Sequence, residues 1–175
     1  GFLCFRPPEE LPVIGPPPRQ ANGYVTFGSF NREFKVSRQV LDLWCRVLLS
    51  VPGSRMMMKS IAGSDPATRE HQLGEFERRG VGRSRVQLVG FIPSQKDHLA
   101  MYRDIDIALD TFPYHGTTTT LDSLLMGVPV VTLSGYNHAS RVGASLLGQV
   151  GIPELIARTG DEYVAKAVEL AGDPA

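Results

Sequence analysis

Residues 106–133 read DIALDTFPYHGTTTTLDSLLMGVPVVTL, and the rest of the chain is organised around them. A short apolar run stops at Asp110, and a loop punctuated by Pro and Gly follows, which predicts a strand and then a turn. Four threonines, residues 117–120, open a helical pattern of leucines that ends at Gly127. A second apolar run, residues 130–133, comes next. The stretch therefore predicts one unit of strand, helix and strand.

The loop of this unit has a high density of hydroxyl groups at the start of a helix. Tyr114 and the four threonines flank His115 and Gly116. Free backbone N–H groups and the positive end of the helix dipole make such a position suited to an anion, and phosphate is the usual occupant. We therefore predict a phosphate site in this loop.

Several residues of the loop also have a purely structural interpretation. Thr119 and Asp122 are spaced as a capping box with Asp in place of Glu, which needs no ligand. That alternative does not account for four threonines after a glycine, so the phosphate site is favoured. His115 is also consistent with a local hydrogen-bonding role, and Asp110 with holding the following turn through its side chain.

Strand and helix patterns alternate along the rest of the chain. Repeated strand–helix units imply a parallel sheet with right-handed crossovers, so we expect an α/β fold with a doubly wound, mainly parallel, Rossmann-like sheet. Three consecutive methionines in the second strand are expected in the core. The predicted strands are residues 24–30, 55–59, 85–89, 107–109, 130–133 and a short run at 155–156, and the predicted helices lie at 37–53, 65–80, 94–103, 117–127, 140–149 and 160–171.

Composition excludes several classes of protein. The chain has 175 residues, is 42% hydrophobic, and its 18 basic residues balance 18 acidic ones. Without a basic block, neither nucleic acid nor a membrane surface is expected as a partner, and no apolar run approaches the roughly 18 residues of a membrane span. Cys4 and Cys45 fit neither a disulfide framework nor a Cys-x-x-Cys site, so we expect a reducing, cytoplasmic location.

The chain divides into two parts. Residues 1–22 contain six prolines and are predicted to be a Pro-rich linker without helix, and residues 23–175 to be the α/β domain. Because the chain starts without Met and stops just after a helical pattern, we interpret it as a piece of a longer protein.

Familiar cofactor and metal motifs are missing. No Gly-x-Gly-x-x-Gly follows the first strand, and Lys59 and Ser60 stand where a dinucleotide-binding domain places an acid, so no nicotinamide or flavin cofactor is expected. Asp104 and Asp106 form an Asp-x-Asp pair, the metal motif of one class of sugar transferases. The pair precedes a strand, whereas ligands of open α/β sheets bind at the carboxyl ends of strands, so no metal site is predicted.

Four segments, taken together, resemble one family of enzymes. They are FGSFN at 27–31 with Lys35, the block DTFPYHGTTTTLD at 110–122, MGVPVVTL at 126–133, and HASRVGAS at 138–145. In these segments the chain resembles the C-terminal half of the catalytic region of protein O-GlcNAc transferases and their SPINDLY-type relatives. The resemblance implies one lobe of a GT-B glycosyltransferase, the lobe that holds most of the donor nucleotide. It also implies inverting, metal-independent transfer of a sugar to Ser or Thr hydroxyls.

The resemblance implies roles for individual residues as well. Lys35 matches the lysine that contacts the donor diphosphate, His98 the histidine placed against the base, and Asp122 the acid near the ribose hydroxyls. On position alone, Lys35 is an ordinary surface lysine and His98 a packing residue. The candidate site residues are Lys35 for catalysis and, for substrate binding, His98, His115, Gly116, Thr117, Thr118, Thr119 and Asp122.

Two departures from the animal enzymes leave the donor base open. The chain has four threonines where those enzymes have His-Thr-Thr-Gly, and Gln95 where they have a base-contacting lysine. We expect UDP-GlcNAc as the donor, with GDP-fucose as the SPINDLY-type alternative and a non-catalytic nucleotide-sugar binding module as a third hypothesis. The expected partners are the donor, a protein acceptor, an N-terminal catalytic lobe that supplies any general base, and tetratricopeptide repeats.

Overall fold

Six parallel strands form one sheet in the computed structural model of the protein, which describes residues 3–173. The sheet order is β3-β2-β1-β4-β5-β6, so the direction of winding reverses between β1 and β4. This order is that of a doubly wound Rossmann-like sheet, and the predicted fold class is confirmed. The strands are β1 (Thr26–Ser29), β2 (Arg55–Lys59), β3 (Val86–Val89), β4 (Ile107–Leu109), β5 (Val130–Leu133) and β6 (Ile156–Ala157).

Seven α-helices accompany these strands within the described residues. Two helix starts follow the predicted chemistry, since Ser37 accepts a hydrogen bond from the Val40 N–H and Asp65 from the Thr68 N–H. None of the helices in residues 3–173 has both the length and the apolar character that crossing a bilayer requires. The helices are α1 (Arg19–Asn22), α2 (Arg38–Ser50), α3 (Pro66–Glu77), α4 (Gln95–Ala100), α5 (Thr118–Leu125), α6 (Val142–Gln149) and α7 (Gly160–Gly172).

The sheet separates two hydrophobic cores. Because side chains alternate across a strand, Met56 and Met58 pack on the face covered by α2, α3 and α7, whereas Met57 packs on the face covered by α4 and α6. All three methionines are buried, as predicted. Both faces of the central strands are therefore covered, and the loops at the strand ends are left to contact a ligand.

The end of the predicted linker differs from the expectation. Helix α1 forms directly after Pro18 and ends at Gly23, whose φ of 72° is left-handed, so the prediction of no helix is wrong for residues 19–22. The carboxylate of Asp106 accepts hydrogen bonds from the Arg19 N–H at 2.9 Å and the Thr26 N–H at 2.8 Å. Asp106 thus fastens α1 and β1 at the amino edge of the sheet. The ends of the two predicted parts, residues 1–2 and 174–175, lie outside the described residues.

Candidate functional site

A cleft of about 630 Å³ opens at the carboxyl edge of the sheet, beside the reversal point between β1 and β4. Its volume lies within the range of about 300–1,000 Å³ that is typical of small-molecule sites. A smaller depression of about 260 Å³ at the amino edge is lined partly by the Pro-rich segment. In open α/β sheets ligands bind at the carboxyl edge, so the larger cleft is the candidate site.

Most of the predicted site residues meet in this cleft. Lys35 follows β1, and His98 lies on α4. Thr118, Thr119 and Asp122 lie in the first turns of α5, and residues 115–117 lie in the loop before it. Gly116 and His115 lie behind the cleft and do not line it. The predicted residues that line the cleft are Lys35, His98, Thr117, Thr118, Thr119 and Asp122.

The start of α5 has no side-chain cap. Thr117 occupies the N-cap position, and its side chain accepts no hydrogen bond from the first turn. Thr119 lies inside the helix, so the capping box of Thr119 and Asp122 is wrong. The hydroxyl of Thr119 instead donates to Asn31 Oδ1 at 2.8 Å, which joins α5 to the segment after β1. Since no side chain occupies the first-turn N–H groups, this helix end retains the donors and the positive dipole that attract an anion.

Gly116 lets the loop come close to the threonines. A Cβ atom at this position would overlap Thr119 Oγ1 and lie 2.9 Å from Asn31 Oδ1. Any other residue would therefore displace these side chains or the loop itself. The role of Gly116 in the site is the space that it leaves for these neighbouring side chains.

The buried carboxylate of Asp110 holds the same loop through hydrogen bonds. Asp110 accepts hydrogen bonds from the N–H groups of Thr111 at 2.9 Å and Gly116 at 2.8 Å, and from the Thr132 hydroxyl at 2.8 Å. Burial raises the pKa of Asp110, while His115 and the three donors oppose that rise. The prediction that Asp110 holds the following turn is confirmed.

The imidazole of His115 belongs to this scaffold. It is fully buried, with Nε2 at 2.8 Å from the Leu133 carbonyl and Nδ1 at 3.0 Å from the Gly143 N–H. A carbonyl only accepts and an amide N–H only donates, so we assign the proton to Nε2 and a neutral ring. This is the local hydrogen-bonding role that was the alternative to substrate binding. Only the backbone carbonyl of His115 reaches the side chain of a cleft residue, Lys35.

Lys35 places a partly desolvated cation beside the threonine loop. Its ammonium donates to the His115 carbonyl at 2.9 Å and lies 4.1 Å from the ring centroid of Tyr114. Burial lowers the pKa of Lys35, Asp110 opposes that change, and Arg32 adds to it. A bound anion would supply the countercharge that this position lacks.

A second group of charged side chains lies in the same cleft. Lys59 ends β2, and its Nζ is 2.9 Å from His98 Nδ1, while His98 Nε2 is 3.6 Å from Asp122 Oδ2. Burial lowers the pKa of Lys59, and Asp122 opposes that change. Neither Lys59 nor Asn31 was predicted as a site residue, although Lys59 counted against dinucleotide binding. The signal that would have identified them is their place at the carboxyl end of a strand of an open sheet, since Lys59 ends β2 and Asn31 follows β1.

Several known proteins have sequences similar to this chain. A sequence model of glycosyl transferase family 41 matches residues 18–175. A probable UDP-N-acetylglucosamine–peptide N-acetylglucosaminyltransferase SPINDLY of Petunia hybrida is 47% identical over 172 residues, which are 98% of this chain and 18% of that protein. The UDP-N-acetylglucosamine–peptide N-acetylglucosaminyltransferase of Caenorhabditis elegans is 33% identical over 85% of this chain and 13% of its own length. The chain thus spans only 18% of the length of the plant relative, or about a fifth.

Two solved structures resemble this chain in fold, and one of them also resembles it in sequence. A mutant of the O-GlcNAc transferase of Thermobaculum terrenum matches with a TM-score of 0.91 and 43% identity, over 96% of this chain and 31% of that one. A trehalose 6-phosphate synthase of Burkholderia multivorans matches with a TM-score of 0.59 over 90% of this chain and 36% of that one, at 18% identity. The second likeness concerns the fold alone.

Proposed function

The chain belongs to glycosyl transferase family 41, and from this premise we propose that it is the donor-binding lobe of a protein O-glycosyltransferase. One observation carries the proposal. The uncapped start of α5, the hydroxyl of Thr118 and the ammonium of Lys35 meet in a single cleft at the carboxyl edge of the sheet. Thr119 lines the same cleft, and its hydroxyl donates to Asn31. These groups suit the diphosphate of a nucleotide sugar, because all of them favour a negative ligand.

The proposed chemistry follows from the charge that develops on the leaving group. As the glycosidic bond breaks, negative charge grows on the departing nucleoside diphosphate. Backbone N–H groups, the Thr118 hydroxyl and Lys35 are fixed before the reaction and stabilise that charge without reorganising. They supply the positive potential that a divalent metal would otherwise provide, so we propose a metal-independent, inverting transfer to Ser or Thr.

The part of the cleft beside Asp122 and His98 is proposed to hold the nucleoside. Asp122 is an acceptor that repels phosphate but pairs with hydroxyl groups, which suits a ribose. We propose UDP-GlcNAc as the donor, supported by the substrate named for the plant and nematode relatives. GDP-fucose is the second candidate, since the four threonines and Gln95 depart from the animal pattern.

The remaining partners are proposed to lie outside this chain. The relatives are several times longer than the matched segment, since that segment is only 18% of the Petunia protein. A first catalytic lobe, tetratricopeptide repeats and a protein acceptor would complete the enzyme, and the general base would belong to the first lobe. A cytoplasmic location is proposed as well, and the free thiols of Cys4 and Cys45 are consistent with a reducing compartment.

Calorimetry with UDP and GDP in the presence of a chelator tests the donor site. We expect one of the two nucleotides to bind without metal, and a Lys35→Met variant to bind more weakly. Lys96→Met is the matched control, because Lys96 is exposed, pairs with Glu10 and does not line the cleft. A requirement for a divalent ion would contradict metal independence, and failure of both nucleotides to bind would refute the donor site.

Release of free nucleotide or modification of an acceptor by the full-length protein distinguishes a transferase from a binding module.

A further inference from the structure

Lys59 has no role in the proposed function, yet it contacts a residue of the donor cleft. Its Nζ lies 2.9 Å from His98 Nδ1, a contact between residues 39 positions apart in the chain. Both side chains are partly buried and line the cleft. A partly buried lysine loses part of its hydration, which is unfavourable unless a hydrogen bond replaces it. Here the hydrogen-bond partner is an imidazole.

The chemistry of this contact determines the state of the imidazole. An ammonium has three donors and no acceptor, so His98 Nδ1 must be the acceptor and cannot carry a proton. The ring is then neutral with its proton on Nε2. That nitrogen faces Asp122 at 3.6 Å, which is beyond hydrogen-bond distance. The Nε2–H group therefore lies beside Asp122 with no short hydrogen bond to it, and it can donate to a ligand.

Packing fixes the ring but does not choose its tautomer. The ring centroids of Phe30 and Tyr102 lie 6.1 Å and 5.7 Å from that of His98, so two aromatic rings pack against the imidazole. The charged and titratable groups that face His98 are Lys59 from β2, Asp122 from α5 and Tyr102 from its own segment. In His115, the Leu133 carbonyl and the Gly143 N–H set the tautomer with its proton on Nε2. In His98, the Lys59 side chain sets the same tautomer.

We propose that Lys59 is a positioning residue, which holds His98 as a neutral imidazole protonated at Nε2 and so presents a fixed hydrogen-bond donor to the nucleoside of the donor substrate. This inference rests on the proposed function, because it assigns the nucleoside to the end of the cleft near Asp122. In that proposal the phosphate groups bind beside Lys35 and Thr118. Lys59 therefore acts through His98 and not by contacting phosphate.

The tautomer of His98 can be measured in the protein without any ligand. Long-range proton–nitrogen correlation spectra of the imidazole rings distinguish a protonated nitrogen from an unprotonated one, and His98→Gln assigns the signal among the four histidines. We expect Nε2–H in the wild type, a mixture of states in Lys59→Met, and the wild-type state in Lys59→Arg and in the exposed control Lys96→Met. His115 is an internal reference whose signal should stay constant. An unchanged His98 tautomer in Lys59→Met would overturn the inference.

Binding measurements then separate positioning from direct phosphate contact. With Lys59→Met we expect the affinities for UDP and for uridine both to fall, by about three- to tenfold, and Lys59→Arg to restore both. A loss confined to UDP would show that Lys59 contacts phosphate and would refute the positioning role. If neither UDP nor GDP binds the wild type, the proposed function itself fails. Wild-type binding together with equal affinities in Lys59→Met refutes only the role of Lys59.

Discussion

Thr118 and Thr119 lie at the uncapped start of α5 and line the cleft. The Thr119 hydroxyl already donates to Asn31, so Thr118 is the threonine expected to donate to the diphosphate. Replacing both with valine should then weaken UDP binding by about 1.5 to 3 kcal/mol, the value of one lost hydrogen bond to a charged group. Uridine, which has no phosphate, should bind almost as before. Calorimetric titration of the double variant with both ligands provides the measurement.

A true helix cap elsewhere in the chain is the matched control for this double variant. The Thr159 hydroxyl accepts a hydrogen bond from the Glu162 N–H at 3.1 Å at the start of α7. Thr159→Val should lower the free energy of unfolding by about 0.5 to 2 kcal/mol and leave UDP affinity unchanged. If the Thr118 and Thr119 variant behaves in the same way, those threonines stabilise the fold and do not bind the ligand.

UDP binding should weaken at alkaline pH, because Lys35 loses its proton there. Burial lowers its pKa from the ordinary 10.5, so it loses its proton at a lower pH than an exposed lysine. The diphosphate binds the ammonium form, and affinity should therefore decrease as the pH rises through this lowered pKa. Titrations from neutral pH up to about pH 10, near the ordinary pKa of lysine, measure the decrease.

Lys35→Arg is the comparison for this pH profile, because a guanidinium keeps its charge throughout that range. Titration of the ligand itself affects the wild type and the variant equally. A profile of Lys35→Arg that declines as steeply as that of the wild type would show that the proton lost in the wild type does not come from Lys35.

The β4–α5 loop, residues 110–117, is organised around one carboxylate. One oxygen of Asp110 accepts from two N–H groups, and the other, Oδ2, accepts from the Thr132 hydroxyl. Asp110→Asn keeps an acceptor for the N–H groups but puts an NH2 group opposite the hydroxyl, so it should lower the free energy of unfolding by about 1 to 3 kcal/mol, the cost of one buried donor left unpaired. Urea denaturation measures this change. The control is Asp161→Asn, an exposed carboxylate paired with Arg46, which should change stability by less than about 0.5 kcal/mol. Equal effects of the two substitutions would contradict this account of the loop.

At the level of the whole molecule, residues 1–175 alone should transfer no sugar. The chain supplies groups for the donor, whereas the acceptor site and general base are proposed to lie in another lobe. Incubation with UDP-GlcNAc or GDP-fucose and an acceptor peptide, followed by mass spectrometry, should show unmodified peptide. The full-length protein under the same conditions is the positive control. Modified peptide produced by residues 1–175 alone would contradict the division of labour between two lobes.

Local patterns in the sequence predicted most of this architecture. The spacing of leucines in α5, the caps at Ser37 and Asp65, and the alternation of strand and helix each depend on residues within about one or two helical turns. Such signals survive in a single sequence because they arise from backbone hydrogen bonding and from which face of an element is buried. The sheet, the core methionines and a cleft beside the threonines followed from them.

Contacts between distant segments were decided only by the tertiary structure. The carboxylate of Asp106 holds Arg19, which lies 87 positions earlier, and Lys59 meets His98 across 39 positions. The sequence by itself determined that a helix would begin at the four threonines. It did not determine that His115 would turn away from the cleft and Lys59 towards it, because a side chain's direction relative to a distant segment depends on how the completed elements pack together.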